Sequence, residues 1–226
     1  MKNISKKLII SFVTVVFLVS CITYNLDSIV RVQQPDNITC GAACVKMVMD
    51  YYFSSSEGVF EIFDKVSGTG PKGLTNLTYK MTSYFDSYNL YSSIIRFSDL
   101  KTILEYCDTY QIPAIMQIHA TGDISLGHYV VFIQYKTDEG LVKIRDPADA
   151  AREWINYADL EYSFLKLSPD FEIGGNIIIL ANKSIKNKQK YICSRCNKEN
   201  IIDKSIMDAI TFLYCINCEA AISIWN

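Results

Sequence analysis

The sequence predicts an α+β domain of two packed layers followed by a small cysteine-rich module. Segments with helical patterning fill the first half, and β-branched, aromatic runs fill much of the second. The C-terminal segment, 191–226, carries two Cys-x-x-Cys pairs separated by 18 residues, a spacing that suits a closed metal site.

The chain has 226 residues, of which 50% are hydrophobic and 12% aromatic, enough for a substantial core. Charged residues make up 20% and the net charge is −2, so no global basic field would hold the chain on nucleic acid or anionic lipid. Nucleic acid is therefore not an expected partner.

From Cys40 to Phe53 the chain is apolar nearly all round, as in a buried helix. Further helices are expected over 58–66, 76–87 and 99–109. In the last, Ser98 can cap, and Leu100, Ile103, Leu104 and Cys107 form one stripe. Strands are expected at Pro113 to Ile118, Tyr129 to Tyr135, Leu141 to Ile144 and Asn176 to Leu180. Turn clusters at Thr121-Gly122-Asp123 and Asp138-Glu139-Gly140 separate them. The expected organisation is an export segment over 1–21, the main domain over 22–181, a basic linker over 182–190 and the cysteine module over 191–226.

The N-terminus reads as a targeting segment. Lys2, Lys6 and Lys7 precede an apolar run from Leu8 to Val19, short for a bilayer span, which needs about 20 residues. The run ends in Leu18-Val19-Ser20-Cys21, which looks like a bacterial lipobox with Cys21 as the lipidated residue. An uncleaved membrane anchor and a buried helix are the alternatives. Either membrane reading places the lysines in the cytosol and the rest of the chain outside, exported and held at the membrane.

A cysteine attacks only as thiolate, and its free pKa is about 8.5. A helix N-terminus and a neighbouring imidazolium both lower that value. Cys40 begins the apolar helix, Thr39 can cap it, and Gly41, Ala42 and Ala43 leave room for a substrate. Cys44, one turn on, reads as packing. The chain has only two histidines. His128 follows Gly127 at the entrance of a strand, whereas His119 precedes a loop and reads as structural or as a cleft wall. Asp146, at the end of the next strand and stiffened by Pro147, can accept from the His128 ring and fix its tautomer. Gln34, six residues before Cys40, can donate to an oxyanion beside the Cys40 backbone N–H. Taken singly, each of these residues also has an ordinary structural reading: a buried cysteine, a strand-end histidine, a strand-stop aspartate.

Together they resemble the bacteriocin-processing cysteine peptidases, which remove double-glycine leader peptides. The matching residues are Gln34, Cys40-Gly41-Ala42-Ala43-Cys44, His128-Tyr129-Val130-Val131 and Asp146-Pro147, with Ile112-Pro113-Ala114-Ile115 ahead of the histidine. The resemblance covers roughly Arg31 to Ala181. It implies a papain-like fold, Cys40 as nucleophile, His128 as base, Asp146 as its orienting partner and Gln34 as oxyanion residue. It also implies peptide-bond hydrolysis after small residues. Members are typically domains of ATP-driven peptide exporters. Here the 226 residues show no nucleotide-binding motif, and carry an export signal and a cysteine module instead. The chemistry is therefore expected to carry over better than the substrate.

In the tail, Cys193, Cys196, Cys215 and Cys218 offer four thiolates, a closed tetrahedron for one structural Zn²⁺ in a zinc ribbon. Two disulfides are the alternative that an exported location favours. Zinc ribbons commonly bind nucleic acid or protein, and the few basic residues here point to a protein partner. Because the linker separates the modules, loss of metal is expected to spare the peptidase site. Two further readings remain at this stage: an amidase, isopeptidase or acyl transferase using the same triad, and a non-catalytic membrane-tethered adaptor that binds a partner through its ribbon.

Overall fold

The computed structural model of the chain describes residues 24–70, 73–120, 123–164 and 175–224. The expected export signal with Cys21 lies outside the described residues. Among those described, no helix is long and apolar enough to cross a membrane.

Helix α1 (Cys40–Phe53) has ten buried residues of its 14, so it runs through the interior rather than over a surface. Ser54 ends it in the left-handed region, its N–H returning to the Asp50 carbonyl at 3.2 Å. Then follow α2 (Val59–Val66), the hairpin β1 (Ser67–Gly70) and β2 (Gly73–Asn76), α3 (Thr78–Ser87), β3 (Tyr91–Phe97) and α4 (Leu100–Tyr110). The second half supplies β4 (Ala114–Ala120), β5 (Asp123–Lys136), β6 (Leu141–Arg145), β7 (Trp154–Asn156), the short α5 (Tyr157–Ser163) and β8 (Ile177–Asn182). The tail forms β9 (Lys188–Ile192), β10 (Glu199–Asp203), a 3₁₀ turn at Lys204–Ala209, β11 (Ile210–Tyr214) and β12 (Ala221–Ile222).

One antiparallel sheet of eight strands, in the order β12-β11-β3-β8-β4-β5-β6-β7, packs against the helices. This is the expected α+β arrangement. The centre is dry: Ile94, Ile95, Met116, Val130, Val131, Phe132 and Ile178 are all fully or almost fully buried. Strands buried on both faces lose the alternation that marks a half-exposed strand. For this reason β3, with buried Ser92 and Ser93 between apolar neighbours, is absent from the sequence reading although it lies inside the sheet.

Two local expectations change. Asp99, not Ser98, caps α4: its carboxylate accepts from the Thr102 N–H at 3.2 Å, while the Ser98 N–H goes to the Ala209 carbonyl at 2.8 Å. The expected linker over 182–190 is also shorter, since residues 188–190 already belong to β9, paired with β10.

The tail is built into the main domain. Strand β11 pairs with β3, setting Leu213 opposite Ile95 and Tyr214 opposite Ile94. Ile202, Ile206, Leu213, Cys215 and Ile222 belong to the same hydrophobic core as the α1 residues. Without β11, the outer edge of β3 would present a row of unpaired backbone groups. The expectation that loss of metal spares the peptidase site rested on a separating linker, whereas the tail shares the main core. Leu213, with no exposed surface, tests this. Leu213→Ala should cost about 2–5 kcal/mol and lower a single melting transition of the whole chain, followed by near-ultraviolet circular dichroism. A separate early transition confined to the tail would show two independent units.

Candidate active site

The pairing of β5 with β6 builds the site. His128 lies in β5 opposite Ile118 of β4. Val131 pairs with Arg145, so Asp146, the residue directly after β6, comes alongside the start of the β5 core segment. His128 Nε2 and Asp146 Oδ1 are 2.7 Å apart, and the two residues are only 6% and 2% exposed. The same oxygen accepts from the N–H groups of Ala148 at 2.8 Å and Asp149 at 3.3 Å. Arg152 Nη1 stands 3.5 Å from Oδ2. Burial works to raise the Asp146 pKa, but the His128 hydrogen bond and charge, the Ala148 N–H and the Arg152 guanidinium hold it below the ordinary carboxylate range.

With Nε2 given to Asp146, the imidazole has Nδ1 left, and Cys40 stands close enough to act on the ring. Burial alone would lower the pKa of His128. The Asp146 and Cys40 hydrogen bonds and charges outweigh it and raise the value to about 9. Cys40, 6% exposed, is the first residue of α1, where the helix dipole favours negative charge. Cys44 has no exposed surface, and burial, with the charges of Cys40 and Asp146, pushes its thiol well above the usual range. It packs, as expected. Cys107 is likewise held protonated by burial.

Gln34 reaches the site by backbone tethers. Its N–H donates to the Pro147 carbonyl at 3.1 Å, and Arg31 donates to the carbonyls of Asp146 and Pro147 at 2.5 and 2.8 Å. The segment 31–34 is thus stitched to the turn that holds Asp146. Gln34 Nε2 donates one hydrogen to the Asp36 carbonyl at 2.8 Å and carries a second. His119 lies opposite Gly127, with Nδ1 at 3.2 Å from the Ala120 carbonyl, and does not join the His128–Asp146 pair.

Thr39 occupies the N-cap position of α1 but caps no N–H with its side chain. Its hydroxyl pairs instead with Asp36, at 3.3 Å from that carbonyl. Asn76, at the end of β2, supplies the cap: its Oδ1 accepts from the Ala42 N–H at 3.0 Å. Asn76, Arg31 and Arg152 were not legible in the sequence, because each acts through contacts made only on folding. The one hint was glycine directly after the candidate nucleophile, which marks a close approach.

The four tail cysteines are free thiols, and their sulfurs all lie within 4.8 Å of one another. Cys193 and Cys218 are 3.6 Å apart at sulfur, and Cys196 and Cys215 are 3.5 Å apart. A tetrahedron with metal–sulfur bonds of about 2.3 Å has edges of about 3.8 Å, so the set fits a closed four-thiolate site. The Lys198 N–H does most to lower the Cys196 thiol, which falls to about 6, and Asn217 donates its N–H to Cys215 sulfur at 3.5 Å.

Fold and site together define a papain-like cysteine peptidase. The Peptidase C39 pattern matches residues 28–168, more than half of the chain, and the protein belongs to that family. No curated protein sequence matches it. Among solved structures it is similar to a C39-like peptidase from Bacillus anthracis, with 15% identity, a TM-score of 0.55, and coverage of 72% of this chain and 98% of that one. It is also similar to a double-glycine motif protease from an AMS/PCAT transporter, solved in complex with the leader peptide, with 18% identity, a TM-score of 0.48, and coverage of 71% and 96%. The peptidase domain of Streptococcus ComA, a bi-functional ABC transporter involved in a quorum-sensing pathway, matches with 16% identity, a TM-score of 0.48, and coverage of 71% and 99%.

The His128–Asp146 bond can be tested directly. Nuclear magnetic resonance titration of the His128 ring should give a pKa of about 9. Asp146→Asn removes the carboxylate that opposes burial and should lower the value by roughly 1–3 units. An unchanged titration would show that the carboxylate does not set the ring's charge.

Proposed function

We propose that the chain hydrolyses peptide bonds through a Cys40–His128–Asp146 triad, with Gln34 as an oxyanion donor. The observation that carries this reading is the buried 2.7 Å contact from His128 to Asp146, on a ring that also feels the cysteine at the head of α1. The Cys40 thiolate attacks the scissile carbonyl carbon, and the carbonyl π pair moves onto oxygen. The Cys40 N–H and the second Gln34 Nε2 hydrogen face that oxyanion. As the tetrahedral intermediate collapses, the C–N bond breaks and His128 gives its Nδ1 proton to the leaving amine, leaving a Cys40 thioester. Water then attacks the thioester, His128 takes its proton, and the acid departs as the thiolate re-forms. Asp146 holds the ring throughout and stays ionised.

The intact set of charged and hydrogen-bonded groups favours this over a non-catalytic adaptor. Family resemblance assigns small residues at the scissile bond, so a peptide with Gly-Gly before the cut is the expected substrate class. Cys40→Ala should abolish turnover, and Gln34→Ala should lower it about 10²–10³-fold. Activity should fall on the alkaline side at about pH 9, where His128 loses its proton. A Gly-Gly peptide should be cut at least roughly tenfold faster than a Leu-Leu one. Iodoacetamide labelling of Cys107, with Cys40 inert, would remove Cys40 from the role.

For the tail we propose one structural Zn²⁺ held by Cys193, Cys196, Cys215 and Cys218. All four ligand positions come from protein sulfur, which leaves none for substrate. Purified protein should carry one zinc per chain by elemental analysis, with sulfur at about 2.3 Å by X-ray absorption. Metal-free protein with these cysteines in disulfides would overturn the assignment.

A further inference from the structure

We infer that Asn76 is a positioning residue for the reaction, bracketing Cys40 so that the backbone N–H of Cys40 faces the oxyanion, and that residue 41 must be glycine to admit it. The inference rests on the triad reading above.

The first four N–H groups of a helix have no acceptor within it. In α1 the Ala43 N–H returns to the Thr39 carbonyl at 2.9 Å, and the Ala42 N–H goes to Asn76 Oδ1 at 3.0 Å. Those of Cys40 and Gly41 find no acceptor among the described residues. The same Asn76 amide donates from Nδ2 to the Ile38 carbonyl at 2.6 Å. One planar side chain therefore ties residue 38 to residue 42, with Cys40 midway between the ties. Its cost is justified only by full use: Asn76 is 3% exposed, and both polar atoms are bonded.

Gly41 shows how closely the two elements meet. A Cβ there would stand 2.8 Å from both Cβ and Cγ of Asn76 and 3.1 Å from its Oδ1. Gly41 lies within a helix and has no unusual φ, so the requirement is for space. The hairpin delivers the amide: Asn76 pairs with Ser67, and the next residue, Leu77, donates to the Val66 carbonyl at 2.9 Å. Aspartate could not replace it. Aspartate accepts but does not donate, so it would repel the Ile38 carbonyl and set a negative charge beside the thiolate.

Asn76 touches no reacting atom, so its variants should damage the oxyanion side and leave the thiolate intact. Iodoacetamide alkylation reads the thiolate and forms no oxyanion, whereas peptide turnover needs both. In the full chain, Asn76→Ala should lower kcat about 10- to 100-fold, with KM within about twofold. The Cys40 alkylation rate should stay near that of the parent. Asn76→Asp should not restore turnover, because it keeps the acceptor for Ala42 and loses the donor to Ile38. Gly41→Ala should give the same split between turnover and alkylation. Adding Gly41→Ala to Asn76→Ala should cost little more than Asn76→Ala alone, because the space has been vacated. Equal falls in turnover and alkylation, an unchanged kcat, or additive losses in the double variant would each overturn the inference. Turnover persisting in Cys40→Ala would remove the triad reading and this inference together. An inert Cys40→Ala beside an undiminished Asn76→Ala would remove the inference alone.

Discussion

A carboxylate taken almost completely out of water dictates the arrangement of this protein's site. Asp146 is 2% exposed, and an ionised group so placed is tolerated only if its lone pairs are met. The His128 ring and two backbone N–H groups meet one oxygen, and the Arg152 guanidinium stands by the other. Arg31 is drawn to the carbonyls on either side of the Asp146–Pro147 bond, and the chain that follows brings Gln34 with it. The demand of one buried charge thus gathers His128, Arg152, Arg31 and, through the chain, Gln34, and it holds the imidazole pKa above its ordinary value.

How much of this the sequence disclosed follows from separation along the chain. His128 lies in β5 and Asp146 directly follows β6, two strands joined by a turn at 137–140, so their meeting is a local matter of register. Gln34 and Cys40 sit within one short stretch, and Cys40 at a helix head is readable from the apolar run behind it. The pairing of Asn76 with Ala42 crosses 34 residues and has no local signature. Thr39 shows the limit of residue preference: it stands where a cap belongs, yet its hydroxyl is taken by Asp36 and an amide from another element does the capping. Strand β3 escaped for a different reason, since burial on both faces erased its periodicity.

The tail shows how a small module can be legible in composition and misread in context. Its four thiols are spaced for a metal, and they are gathered as that spacing suggests. The basic residues ahead of them read as a tether, but some of these open a strand, and the module's third strand completes the main sheet. Its second cysteine pair also leans on the helical layer: Ser83 Oγ donates to the Ile216 carbonyl at 2.7 Å, and the Tyr79 N–H to Glu219 at 3.2 Å. Both contacts fall on α3, the helix that begins just after Asn76.

The pairing of Ile95 with Leu213 also sets a schedule. Cys40, His128 and Asp146 are all synthesised before Ile210–Tyr214, the strand that pairs with β3. Contacts so distant in sequence carry a loop-closure cost before they return any stabilisation. A framework that draws on such distant contacts is expected to stay poorly formed until Ile210–Tyr214 has been added.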